Sequence, residues 1–397
     1  MGKILDYIEK SSEGKFQCFK TKKMSLDAAD NDTLAYDDKA RVLTTSCKIA
    51  ETNLKRQLVH SLRNSLNNKI LPPSIFRYFL DGSRHTYKVD DISIGKKIFP
   101  IVAGQIIVGC CERYDRDTFK KYGLKSKIVI AMPDYFDYDE GGENFCRAYC
   151  EKLNEEIKSF AFIAESNIQI DRILLYNTEN KSKENGKENY KNSAVAKIQN
   201  EMVDEEQLLV AELCRQNKLD GLHWLIKDGS LEYNPGYSNL DLTQWNNLRA
   251  NYQHVVGVSK QFDPELLKDY EGNSLAKTIA NLKPFERTKV YLYPQSYQKK
   301  GQTIEQYFAV WYLRLRKSDF RETYFSDVVK CEMVLMREDQ KLNSDDVDMI
   351  SSQLIREAYP VCFGSDTRWA NHLYPVSLTE SFCKSRYIDS NVKRLAA

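Results

Sequence analysis

The sequence predicts an α/β protein, a mixed β-sheet flanked by helices, and two observations carry that prediction. Three apolar runs rich in Ile, Val and Phe follow one another closely, around 76–81, 97–109 and 126–132, as the strands of a meander do. Beyond them, amphipathic helical stretches alternate with short apolar runs: 195–216 before 225–228, and 241–250 before 254–260. That alternation lays helices against a sheet. A third observation marks where chemistry could sit. Asp-Gly-Ser occurs twice, as Asp81-Gly82-Ser83 and Asp228-Gly229-Ser230, each time closing a strand-like run. A carboxylate at a strand mouth, followed by a glycine that turns the chain or admits a close neighbour, suits a metal ligand. Asp-Gly is equally an ordinary turn signal, so the weight rests on the pair.

The first seventy residues are polar, and 34–67 carries helix formers with apolar positions three and four apart, so 1–70 reads as a helical N-terminal extension. Pro72-Pro73 ends it, because neither proline continues a helix and each pushes its predecessor to extended backbone. After the meander, 143–160 has helical spacing (Phe145, Ala148, Tyr149, Leu153, Ile157) and 171–176 reads as a strand. The stretch 177–192 is nearly all Lys, Glu and Asn, too polar to bury anything, and reads as a mobile loop. In the last third, 307–316 and 327–336 read as strands and 344–357 as a helix with Asp345 and Asp346 at its positive end, a C-terminal α+β extension.

With 397 residues, 42% of them apolar, the chain can bury a large core. Its net charge of +2 means that nucleic-acid binding would need a local basic groove. No run approaches the roughly 20 apolar residues that span a bilayer. The start lacks a secretory segment and has Asp6 where a myristoylation signal wants Ser or Thr, so a cytoplasmic location is expected. The ten cysteines form no paired CxxC motifs and the five histidines no HExxH spacing, which leaves zinc chemistry without support.

Phosphodiester hydrolysis by two metal ions needs several acidic oxygens converging on cations about 3.5 to 4 Å apart. Hard oxygen ligands favour Mg²⁺ or Mn²⁺. Asp81 and Asp228 would be two of them, and the helix between them offers Asp204, Glu205, Glu206 and Glu212, among which spacing does not choose. The outline of meander, helix and strand is compatible with an RNase H-like fold, in which the first strand lies beside the strand after the first major helix.

In order along the chain, these features resemble the NurA nucleases. The features are an Asp-Gly-Ser strand, a helix with Met202 one turn before Glu206, a second strand ending Asp228-Gly229-Ser230-Leu231, Gly257-Val258-Ser259-Lys260, the strand with Lys330-Cys331-Glu332, and Tyr359-Pro360. The likeness covers roughly 76–374 and makes 71–397 a NurA-like nuclease domain. It implies an RNase H-like, Mn²⁺- or Mg²⁺-dependent nuclease, usually a homodimer, that trims DNA with a hexameric HerA-type ATPase in end resection or anti-phage defence. It also implies that Asp81, Glu206 and Asp228 are metal ligands and that Lys260 neutralises charge on the scissile phosphate. The family's last ligand is commonly a His shortly after Tyr-Pro. Here Asp366 stands closest, with His372 as the alternative.

Arg368 and Trp369 suit phosphate contact and base stacking, and strand alternation groups Arg314 with Arg316 as residues that could face DNA. Two other readings remain open: a catalytically silent adaptor of the same fold, and an RNase H-like enzyme acting on RNA or on guide-loaded complexes.

Overall fold

The computed structural model describes residues 3–19, 24–25, 48–55, 57, 59–66, 73–115, 118–138, 140–159, 168–178, 183–184, 187–188, 190–233, 242–269, 271–299, 302–317, 324–362 and 369–388. In chain order the elements begin with α1 (Lys3–Ser11), β1 (Phe16–Phe19), β2 (Met24–Ser25), β3 (Val59–Ser61) and α2 (Arg63–Leu66). The meander follows as β4 (Phe76–Ile94), β5 (Lys97–Arg113) and β6 (Phe119–Pro133), then α3 (Gly142–Lys158), β7 (Arg172–Tyr176), β8 (Lys183–Glu184), β9 (Lys187–Glu188) and α4 (Tyr190–Arg215). Next come β10 (Trp224–Asp228), α5 (Leu242–Ala250), β11 (Val255–Ser259), α6 (Ala276–Ala280) and β12 (Glu286–Thr288). The chain continues with β13 (Tyr291–Lys299), β14 (Gln302–Arg314), β15 (Val328–Leu335), α7 (Ser344–Glu357) and α8 (Tyr374–Lys384).

Thirteen strands form one mixed sheet, whose main path runs β3-β12-β14-β15-β11-β10-β4-β5-β6-β7. β4, β5 and β6 are antiparallel neighbours. β10 joins the meander parallel to β4, and β11 lies parallel to β10. The two-residue side-chain period sorts the core. On β5, Val102, Ile106 and Val108 pack with Ile198, Met202 and Leu209 of α4, while Phe99, Ile101 and Ala103 pack with Tyr149, Leu153 and Ile157 of α3. Farther along the sheet, on the α3 side, Phe79, Ile226, Val256 and Trp311 meet Ile350 and Leu354 of α7 and Val376 of α8. Among the described residues no helix is long and apolar enough to cross a membrane.

Two expectations need correction, and one strand goes beyond them. The helical N-terminal extension is not what the described part of 1–70 adopts: α1 and the single turn of α2 are its helices, and β1, β2 and β3 join the large sheet. Ala50 is backbone-paired to both Val290 and Leu342. The reason is a buried charge. Glu51, fully buried, takes the Arg287 guanidinium at 3.0 Å and the Val290 N–H at 3.1 Å, so tertiary pairing overrides local helix propensity. The expected loop at 177–192 contains the small antiparallel pair β8–β9, and α4 already begins at Tyr190; its other residues beyond Thr178 lie outside the described set. Finally, β13 is a strand that sequence reading passes over. Its Pro294 speaks against a central strand; among the described residues the ladder of β13 is with β14, and its other edge meets the chain at Ile49, opposite Tyr291, before Pro294 is reached.

Candidate metal centre

Asp81 does not end a strand. It stands inside β4, whose pairing with β5 continues without a break past Asp81↔Gly109. β10 does end at its aspartate. The parallel pairing of the two strands runs to Lys227↔Leu80, so the next step sets Asp228 alongside Asp81 where β10 stops and β4 goes on. By alternation both aspartates share a side with Phe79 and Ile226, which face α7 and α8. Lys227 and Gly82 take the other side, toward α4.

Gly82 explains how a helix on that side takes part. A Cβ built there would lie 2.3 Å from Glu206 Oε1 and 3.2 Å from Met202 Cε. The bare backbone is what lets Glu206 approach β4, and Met202 with Glu206, one turn apart on α4, form the pair lying over it. Gly82→Ala is therefore expected to displace Glu206 and destabilise the fold by about 1–3 kcal/mol, read as a shift in the urea midpoint at unchanged slope. A midpoint equal to wild type would show that Glu206 is not seated there. The second glycine acts differently: Gly229 has φ +83° and turns the chain out of β10.

Of the rival acids on α4, Glu205 and Glu212 are engaged elsewhere, as is Glu201. Glu201 and Glu205 pair with Lys127 at 2.7 and 2.5 Å, Glu201 also with Arg172 at 3.0 Å, and Glu212 with Lys125 at 3.9 Å. Burial pushes Asp204 up to about 6, with Glu201 adding to it. Glu206 alone of the four meets Lys227, at 3.1 Å.

The residue that sequence reading missed is Glu380, on α8. Lys260 Nζ, just beyond β11, lies 2.7 Å from Asp228 Oδ2 and 3.2 Å from Glu380 Oε2. Lys384 meets the other Glu380 oxygen at 2.7 Å, and His372 Nδ1 stands 3.7 Å from Oε2. A signal for it exists in the chain. A second Tyr-Pro pair, Tyr374-Pro375, opens α8, and seeking the last ligand after it rather than after Tyr359-Pro360 leads to this helix. His372 thus reaches the cluster through Glu380. Asp366 and Arg368 lie outside the described residues, and Trp369 opens a 3₁₀ turn, Trp369–Asn371, in which the Asn371 amide donates to the Lys260 carbonyl at 3.3 Å.

Arg314 and Arg316 do not face outward as expected for nucleic-acid contacts. Arg314 is fully buried and donates to the carbonyls of Ser326, Ala280 and Tyr324. Arg316, 3% exposed, donates to the carbonyls of Ala358 and His372. Their guanidinium groups tie chain segments together, because β14 is covered on both faces: Tyr312 and Trp311 are both fully buried.

The electrostatics separate the carboxylates. Burial lifts Asp81 well above the usual carboxylate range, Asp228, Glu380 and Glu206 add to the lift, and Lys260 opposes it. Burial also acts to raise Glu380, but Lys260, Lys384 and His372 outweigh it and hold the group at about 2. Lys260 and Lys227 are pulled down by burial and raised further by their carboxylate partners, so both stay above the ordinary lysine value.

As the side chains stand, Lys260 bridges Asp228 and Glu380 and Lys227 contacts Glu206. No group of three or more His, Cys, Asp or Glu is gathered closely enough to hold a metal among the described residues. The donor chemistry nevertheless fits a hard cation. Asp81 Oδ2 is buried without a hydrogen-bond partner among the described residues, beside carboxylates that repel it, and a divalent ion would satisfy it. In comparison with known protein families and with proteins of curated function, the chain has no significant match.

Proposed function

We propose that this protein is a metal-dependent DNA nuclease of RNase H-like architecture, related to the NurA nucleases. One observation carries the reading: Asp81 and Asp228 come side by side on adjacent parallel strands, with Glu206 reaching Gly82 from one face and Glu380 delivered from the other. The antiparallel meander flanked by two parallel strands supports the RNase H-like assignment. Asp81, Asp228, Glu206 and Glu380 would hold Mn²⁺ or Mg²⁺, which when bound supplies charge neutralisation and water activation for phosphodiester hydrolysis. Lys260, released from Asp228, would offer its ammonium to a phosphate oxygen. Partnership with a HerA-type ATPase, a homodimeric state and a cytoplasmic site of action belong to the same proposal.

The test is cleavage of labelled single- and double-stranded DNA by the pure protein with Mn²⁺, with and without a HerA-type ATPase and with RNA as competitor. Cleavage that chelation stops is the expected result. Absence of cleavage in every arm, with no Mn²⁺ bound in calorimetry, sinks the reading. A catalytically silent adaptor is the second reading, and one observation favours it: Lys260 and Lys227 already neutralise the cluster that a metal would need. Mn²⁺ binding in wild type that disappears in Glu206→Ala argues against an adaptor.

A further inference from the structure

Behind Asp228 lies a second buried charged group that metal binding itself does not use. Glu332 on β15 and Lys330 two residues before it are both fully buried and lie 3.0 Å apart. Glu232, also fully buried, stands 3.9 Å from Lys330. Removing such charges from water is costly, and an apolar pair would fill the space as well. The placement of Glu332 suggests what the charge is for.

The other Glu332 oxygen accepts the N–H of Leu231, the last residue of the Asp-Gly-Ser-Leu turn. The register puts Gly257 of β11 opposite Glu332. A Cβ at Gly257 would meet Leu231 Cγ at 2.7 Å, Glu332 Cγ at 3.0 Å and the Gly229 carbonyl oxygen at 3.1 Å. The turn therefore folds back across bare backbone and is caught from the next strand. Three more bonds hold it: Lys227 Nζ donates to the Asp228 carbonyl at 2.8 Å, Gly229 N–H to Val258 O at 2.9 Å, and Glu232 N–H to Ser230 Oγ at 3.0 Å. Among the described residues Glu332 is the long-range side chain that fixes the far end of the turn, and a buried carboxylate is a stronger acceptor for that purpose than a neutral group.

The geometry points to Glu332 as a positioning residue that sets where the Asp228 carboxylate stands. It touches neither substrate nor metal and acts through the Leu231 N–H. The inference rests on the proposed metal-dependent nuclease, and outer partners of ligands commonly change metal affinity by about 10- to 100-fold.

The test is calorimetric Mn²⁺ titration of the full chain in wild type, Glu332→Gln and Glu332→Met. Both substitutions take the same negative charge from Lys330, but only Gln keeps an oxygen for the Leu231 N–H. Glu332→Gln is expected to bind within about twofold of wild type and Glu332→Met at least about tenfold more weakly. Equal affinity in all three, or equal loss in both variants, overturns the assignment. Wild type that binds no Mn²⁺ overturns the metal reading instead. Positioning is then judged in crystal structures of the two variants by the Lys260 Nζ to Asp228 Oδ2 contact of 2.7 Å. That contact kept in Gln and broken in Met supports Glu332; the same outcome in both overturns it. Should Glu332→Met fail to fold, Gly257→Ala drives a methyl group into the same turn without removing a charge. It is expected to weaken Mn²⁺ binding at least about tenfold, and in the metal-free case to break the same contact; an unchanged value of whichever is read overturns the inference.

Discussion

Asp81→Asn is expected to abolish Mn²⁺-dependent cleavage, by at least about a thousandfold in kcat, and at the same time to stabilise the metal-free protein. The two effects share one cause. Asp81 is 5% exposed, one of its oxygens has no hydrogen-bond partner among the described residues, and Asp228, Glu380 and Glu206 all disfavour its charge. A group whose folded pKa lies above its unfolded value stabilises the fold below the unfolded value and loses that contribution as pH rises through the folded one. Ionised Asp81 is thus a liability in the metal-free protein, which on the proposed reading a cation would relieve. Asn keeps the shape and removes the charge, so urea unfolding of chelated protein at pH 8 should favour the variant by about 1–2 kcal/mol. The gap should narrow at acid pH, where the wild-type carboxyl is already neutral. A variant less stable than wild type at pH 8 would mean that Asp81 is held by attraction and not kept in readiness for a metal.

The first Asp-Gly-Ser shows both the reach and the limit of the sequence. That Asp81 and Asp228 should be neighbours is legible from repetition and from element order, and the parallel register of β4 and β10 places them so. What the first glycine does is not legible, because Asp-Gly reads as a turn whether the chain bends or, as at Gly82, runs straight under a helix. Glu206 is one of four acids of equal promise, and what separates it from Glu205 and Glu212 is which basic residue each meets: Lys127 and Lys125 from β6, or Lys227 from β10. Those partners are distant in sequence. Arg314 misled for a related reason. Strand alternation tells two faces apart but does not say that both are covered, and on β14 they are. The helical reading of 1–70 fails in the opposite sense, since Glu51, a charged residue among helix formers, looks solvated until its buried partner Arg287, more than two hundred positions away, is known.

Glu380→Gln is expected to weaken Mn²⁺ binding by about 10- to 100-fold and to cost the metal-free protein on the order of 2–3 kcal/mol at pH 7. Glu380 is held at about 2 against an ordinary 4.5, so its contribution is complete above the unfolded value and is lost as pH falls toward 2. The stability difference between wild type and Glu380→Gln should accordingly be flat above about pH 5 and close progressively below it. Urea midpoints of chelated protein between pH 7 and pH 3 measure this, and a difference that does not change with pH removes Lys260 and Lys384 as its source. Because Glu380 is also one of the charges that raise Asp81, the pair is compared in an Asp81→Asn background, which removes the opposite pH slope of that group. The contrast between the two carboxylates shows what Lys260 does before any cation binds. It lies against Asp228 and Glu380 and keeps Glu380 charged, while Asp81, whose burial Lys260 offsets only in part, is shifted toward its neutral form. On the proposed reading, a cation held by the cluster would take the place of the Lys260 ammonium beside Asp228 and Glu380 and supply the positive charge that the burial of Asp81 calls for, which would leave Lys260 free to meet a phosphate.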